Sequence, residues 1–296
     1  MGNVINNWCL KISLTSKCNF NCFYCNDFQK TITQGRNELS DTEIKEIIKA
    51  ASEAGIKRIH WTGGEPSITN LVEFSNYAKS LGFEEQNITT NGYLMYDKLE
   101  KMIENGLVRT NISLDSLNRE KYQRIVGVDG LESVIKTIKL SSEKVNLTKI
   151  NVCLMKENFD EIPNLIDFTS TLGENVIIKF FELWKFQPNE KYINMHVAPE
   201  VIKEKILQIG DIETLDDVKG NNPNVEYFLL KNKNVKVGIV AAPKQYKCGG
   251  PSCKKIRVYT NGKTCEGIGI INGEYDEKVK CFKDIMERRS NTIVER

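Results

Sequence analysis

"CLKISLTSKCNFNCFYC", residues 9–25, is a β-rich run that ends in three cysteines spaced C-x3-C-x2-C. Cys18, Cys22 and Cys25 form the densest thiol group in the chain. Structural zinc takes four protein ligands, so three thiolates serve it poorly. They suit a [4Fe–4S] cluster in which one iron stays open. Zinc would need a fourth ligand. The chain has only two histidines, His60 in a strand-like run and His196 in a loop. In such places histidine is more often a packing or surface residue than a ligand.

Outward from this stretch the chain alternates strands and helices. After "CLKISLT" (9–15), the runs "IKRIHWT" (56–62), "QNITT" (86–90), "VRTNISLD" (108–115), "LTKINVCLM" (147–155) and "NVIIKFFEL" (175–183) read as strands. Between them lie helical patterns at 39–55, 71–82, 96–106 and 131–143, with another at 159–173 after the fifth strand. The first helix carries its own start and stop: Ser40 as N-cap, Glu43 closing a capping box, Gly55 at the end. Repeated βα units predict a parallel sheet with right-handed crossovers. Six of them predict an α/β fold, a partial (βα)6 barrel of the TIM type. Chemistry in such barrels gathers at the C-terminal ends of strands. The first cysteines, "GGEP" (63–66), "TTNG" (89–92) and "SLDS" (113–116) all follow or finish a strand.

After residue 185 the rhythm changes. "APEVIKEKILQIG" (198–210) is helical, and "VEYFLL", "VKVGIV", "KIRVYT" and "GKTCEGIGII" read as short strands with Asn-Gly turns at 261–262 and 272–273. The reading therefore divides the chain into a barrel, 1–185, and a small C-terminal cysteine-bearing extension, 186–296.

Charge is nearly balanced, with 41 basic against 39 acidic side chains. Nothing global points to a nucleic-acid polymer or an anionic membrane, though a local basic pocket stays open. No window approaches a membrane span, and the start lacks a signal-peptide pattern, so a cytoplasmic location is expected. Nine cysteines is an odd number for a reducing compartment, which favours metal or catalysis over disulfides. Cys9 and Cys153 stand alone and read as buried thiols. Cys248, Cys253 and Cys265 form a second group in a Gly- and Lys-rich context, with Cys281 trailing.

The C-x3-C-x2-C spacing, with aromatic Tyr24 before its last cysteine and "GGEP" after the second strand, resembles the radical S-adenosylmethionine superfamily. The blocks "LKISLTSKCNFNCFYC", "TGGEPSI", "ITTNGYLM", "VRTNISLDSLNREKYQRIVG", "KINVCLMKENFDEIPNLIDF" and "CKKIRVYTNGKTCEGI" resemble the GTP 3′,8-cyclase family over nearly the whole chain. The resemblance implies that Cys18, Cys22 and Cys25 hold a [4Fe–4S] cluster. Its open iron binds S-adenosylmethionine, which is cleaved reductively to a 5′-deoxyadenosyl radical. It implies cofactor contacts at Tyr24, Gly63, Gly64, Glu65, Pro66, Thr90, Ser113 and Asn151. It also implies an electron donor such as flavodoxin or ferredoxin.

In that family a second [4Fe–4S] cluster meets the substrate, and Cys248, Cys253 and Cys265 match its ligands. Lys11, Lys255 and Arg257 stand where the family places substrate-binding arginines. The departures are specific. Cys248 and Cys253 are spaced C-x4-C where the family has C-x2-C, lysine replaces arginine at Lys11 and Lys255, and "SITNL" after "GGEP" is neutral. Lysine keeps the charge but loses the bidentate fork. The fold and radical chemistry therefore transfer further than specificity for GTP. Two substrates stay in view, a nucleotide-like small molecule and a precursor peptide that receives a crosslink. A metal-binding module without catalysis leaves "GGEP" and "SLD" unexplained.

Overall fold

The protein is described by a computed structural model covering residues 7–25, 38–183, 190–216, 225–242, 253–267, 269–270 and 274–294. Cys248 and the turn at 272–273 lie outside the described residues.

The first six strands are β1 (Cys9–Ser13), β2 (Arg58–Thr62), β3 (Glu85–Thr90), β4 (Leu107–Ser113), β5 (Leu147–Leu154) and β6 (Val176–Glu182). They lie side by side in sequence order and all run parallel. Helices α1 (Asp41–Glu53), α2 (Leu71–Ser80), α3 (Tyr96–Glu104), α4 (Arg119–Val126), α5 (Leu131–Lys144) and α6 (Ile162–Ser170) fill the crossovers and follow β5. The capping box at α1 is formed: Ser40 Oγ accepts the Glu43 N–H, and Glu43 reaches back to the Ser40 N–H at 2.8 Å. Helix α4 was not foreseen as a separate element. Its signals are local ones, Asn118 capping the Lys121 N–H at 2.9 Å and Gly127 ending it at φ +78°.

The C-terminal segment contributes α7 (Glu190–Met195), α8 (Pro199–Leu207), β7 (Ile212–Thr214), β8 (Val225–Leu230), β9 (Val235–Val240), β10 (Lys255–Val258) and α9 (Tyr275–Val294). Its strands extend the barrel sheet at both edges. β9 pairs parallel with β6 and continues antiparallel through β8 and β7, while β10 pairs parallel with β1. The described residues of "GKTCEGIGII", read as a strand, form instead a turn. Two isolated bridges, Val258 to Thr264 and Lys263 to Gly269, are its described sheet contacts, and Gly267 at φ +80° breaks extension.

Alternation along the strands sorts two faces. Leu10, Ile12, Ile59, Trp61 and Ile88 face the helices and pack against α1 and α2 in one apolar cluster. Ile112, Ile150, Val152, Ile178 and Phe180 do the same against α5 and α6. Each such fully buried side chain contributes about 1.5–3 kcal/mol. The residues between them turn inward. Cross-strand register then builds one interior row, Arg257–Lys11–His60–Asn87–Arg109, and a second, Asn111–Lys149–Ile177.

Candidate active site

The loop after β1 carries the first cysteines and is fixed by the backbone of "GGEP". Gly64 N–H donates to Thr15 O at 2.6 Å, and Glu65 N–H to Lys17 O at 2.9 Å. A Cβ on Gly64 would lie 2.0 Å from Lys17 O, and Gly63 sits at φ +147°. Glycine is required because the cysteine loop itself approaches there. Glu38 secures the same loop, accepting from Thr15 Oγ1 at 2.9 Å and from the Ser16 N–H and hydroxyl. The Cys18 sulfur receives the Phe20 N–H at 3.4 Å and Asn91 Nδ2 at 3.8 Å.

Glu65 is buried, and its oxygens are taken by the chain. Thr90 Oγ1 donates at 2.6 Å, Asn91 N–H at 2.6 Å and Ser67 N–H at 2.9 Å. Burial raises its carboxyl pKa and these donors oppose the rise. Thr90 therefore spends its hydroxyl on Glu65 and organises the loop after β3. Pro66 opens a 3-10 turn that is closed by the Thr69 hydroxyl on Pro66 O at 2.7 Å.

Asp115, at the end of β4, is fully buried and holds two parts of the mouth together. It accepts the Tyr24 hydroxyl at 2.6 Å and the Cys153 N–H at 2.8 Å. Burial pushes Asp115 up to about 6. Burial raises the Cys153 thiol well above its ordinary value, and Asp115, Cys22 and Cys25 add to the rise. Burial raises the Cys18, Cys22 and Cys25 thiols, and each also feels neighbouring negative groups. Iron binding would reverse that by drawing off their protons.

Next inward, Ser113 and Asn151 are register partners on β4 and β5. Asn151 Oδ1 is buried without a protein partner. A buried acceptor in that condition is a place for a ligand donor. With three half-buried or exposed free thiols beyond it, the mouth fits a thiolate-held cluster and a polar cofactor.

Below the mouth the lumen is strongly basic. Lys11, Arg58, Arg109, Lys149, Lys179, Lys255 and Arg257 come from six different strands. Arg58 pairs with Glu85 at 2.9 Å. Lys179 is pushed down to about 7, first by burial and then by Lys149, Arg109 and Lys255. Lys149 falls to about 8, by burial and then Arg109 and Lys255. His60 is driven well below its ordinary value, by burial and then Lys11, Arg109, Lys255 and Arg257. Its Nε2 meets Thr89 Oγ1 at 2.8 Å. Gly238, the register partner of Lys179, leaves room for it: a Cβ there would meet Lys179 Cγ and the Tyr227 ring at 3.0 Å.

A family profile described as the radical SAM superfamily matches residues 12–169. The GTP 3′,8-cyclase of Clostridium perfringens (strain 13 / Type A) is 33% identical over 294 residues, 92% of this chain and 86% of that one. The chain belongs to the GTP 3′,8-cyclase family of radical SAM enzymes. The molybdenum cofactor biosynthesis protein moc-5 of Caenorhabditis elegans is 29% identical over 86% of this chain, which spans 43% of that longer protein. Among solved structures, Streptococcus suis SuiB bound to precursor peptide SuiA superposes with a TM-score of 0.62. It shares 15% identity, and 96% of this chain covers 66% of SuiB, just under two thirds. At that identity SuiB speaks for the fold alone.

As a radical SAM enzyme the protein uses S-adenosylmethionine and a [4Fe–4S] cluster. Structure brings Cys18, Cys22, Cys25, Tyr24, Gly63, Gly64, Glu65, Pro66 and Thr90 to one end of the sheet, with Ser113 and Asn151 just inside. It brings Lys11 and Arg257 side by side across β1 and β10, and Lys255 beside Cys9. Cys253 precedes β10, which runs parallel to β1, so it lies at the opposite end of the sheet from Cys18. The five residues of β1 span roughly 16 Å at about 3.3 Å per residue. Cys265 N–H donates to Arg257 O at 2.9 Å, which places Cys265 against the β10 edge. Sequence reading missed Arg58, Arg109, Lys149 and Lys179 in the lumen, and Glu38, Asn91 and Asp115 at the mouth. Two of them carried a signal, Asn91 inside "TTNG" and Asp115 inside "SLDS".

Proposed function

We propose that this radical SAM enzyme acts on an anionic, nucleotide-like small molecule held in the barrel lumen between two clusters. One observation carries the reading: the seven basic side chains converge on the lumen from six strands. Lys149 and Lys179 are buried among them; burying like charges is costly, and an anion that enters between them relieves the cost. Arg257 and Arg109 offer planar forks suited to phosphate oxygens, and the lysines offer point charges. In this reading residues 1–185 supply the radical chemistry and 186–296 the second cluster.

The three loop cysteines hold the first cluster at the C-terminal mouth, and Asn151 and Ser113 orient the cofactor bound to it. Bound there and reduced, the pair supplies a 5′-deoxyadenosyl radical. The chain's part is to aim and shield that radical, since the cofactor carries the bond cleavage. Cys248, Cys253 and Cys265 hold the second cluster at the far end. Lys11, Lys255 and Arg257 lie between and fix the substrate's charged group, so that its reacting carbon faces the mouth.

The test is a binding titration of the reconstituted enzyme with GTP, other nucleotides and a precursor-type peptide. Arg257→Ala should weaken nucleotide binding by about 1.5–3 kcal/mol, the worth of one charge-assisted hydrogen bond. Slow substrate-free cleavage of S-adenosylmethionine should persist, because it occurs at the mouth. Tight peptide binding without nucleotide affinity, unaffected by Arg257→Ala, would replace this reading with a peptide maturase.

A further inference from the structure

Helix α9 returns from the end of the chain to the second cysteine group, and it arrives with an arginine. Arg289 is 4% exposed. Its Nε donates to Glu266 Oε1 at 2.7 Å. One terminal nitrogen donates to two backbone carbonyls, Cys253 O at 3.0 Å and Lys255 O at 2.9 Å. The other donates to the Cys265 sulfur at 3.3 Å. The Trp8 ring covers the guanidinium, its centre 5.9 Å away. Glu266 is further held by Arg288 at 3.0 Å. A buried guanidinium thus bridges the two described cysteines of this group, which are twelve positions apart in sequence. Cys281, two turns earlier on α9, packs instead against the apolar cluster around α1.

We propose that Arg289 is a positioning residue for the second iron–sulfur cluster. It holds Cys253 and Cys265 at their ligating separation. Through its bond to the Cys265 sulfur it raises the cluster's reduction potential. This rests on the reading that Cys253 and Cys265 ligate that cluster. A donor aimed at a ligating sulfur withdraws electron density from it, and this favours the form carrying one more electron. The guanidinium charge acts in the same direction and is little screened, because the group is buried. Arginine suits the role because its rigid fork serves two carbonyls, one carboxylate and one sulfur together, and its charge does not titrate away.

The experiment uses the full-length chain with Cys18, Cys22 and Cys25 replaced by Ala, so that only the second cluster is reconstituted. Arg289→Met and Arg289→Lys are compared with the parent by iron analysis and by a potentiometric EPR titration, dithionite supplying the single electron. Arg289→Met is expected to keep about four irons and to become about tenfold harder to reduce, or about 59 mV for a one-electron step. Arg289→Lys keeps charge but loses the fork, and is expected to fall between. Retained iron with unchanged potential and EPR signature in both variants would overturn the proposal and leave Arg289 a helix anchor. If Arg289→Met loses its iron, Arg289→Lys decides: a lowered potential supports the proposal and an unchanged one sinks it. Cys253→Ala with Cys265→Ala in the same background tests the ligand reading separately. Iron that survives that change ends the ligand reading whatever Arg289 does.

Discussion

The Tyr24 hydroxyl donates to Asp115 Oδ2 at 2.6 Å, joining the cysteine loop to the end of β4 across 91 positions of sequence. Asp115 also takes the Cys153 N–H from β5, so one carboxylate ties three segments at the mouth. The fourth and fifth strands of the barrel thereby set where Cys22 and Cys25 stand.

Asp115→Ala should leave the Tyr24 hydroxyl and the Cys153 N–H buried without an acceptor. The expected loss is about 2–3 kcal/mol of stability, together with weaker iron loading at the first cluster. Asp115→Asn keeps an acceptor in place and should lose less. Urea denaturation and iron analysis of the two variants make the comparison. Equal stability in Asp115→Ala and the parent would show that the latch holds nothing.

Gly64→Ala should be far more damaging than an ordinary loop substitution. Its Cβ would lie 2.0 Å from Lys17 O, so either strand end or cysteine loop must move. The expected result is a folded barrel with little iron at the first cluster, read by circular dichroism and by iron content. Normal loading of Gly64→Ala would mean the loop is held by something else.

Iron should count the clusters. The reconstituted enzyme is expected to carry about eight irons, and replacement of Cys18, Cys22 and Cys25 by Ala should remove about four of them and abolish 5′-deoxyadenosine formation. Persistent cleavage of S-adenosylmethionine by the triple variant under anaerobic reduction would contradict the assignment.

The lumen lysines should make stability rise with pH. Lys179 falls to about 7 and Lys149 to about 8 from an ordinary 10.5, burial first and neighbouring cations next. Between those values and 10.5 the unfolded chain binds more protons than the folded one, so stability increases with pH there. Below the folded values the cost of the buried ammonium groups is constant. Buried thiols act in the opposite direction, so the comparison is with Lys179→Met. That variant should be more stable than the parent near pH 6, with the gap closing as pH rises toward 10. Parallel curves for the two proteins in thermal melts would exclude a desolvated ammonium at this position.

The sequence by itself determined the barrel and its chemical class. Strand and helix periods are local properties, and Ser40, Glu43 and Gly55 mark α1 within a single short window. Cys18, Cys22 and Cys25 fall within eight residues, so their spacing survives any arrangement of the rest. Only the tertiary structure decided the lumen and the second centre. Arg58, Arg109, Lys149 and Lys179 each look like a lone basic residue in its own strand. Alternation tells that half of each strand turns inward, but register alone brings those halves to one level. Arg289 meets Cys265 across 24 positions because α9 packs back along α1 and β1, a contact that no local pattern encodes.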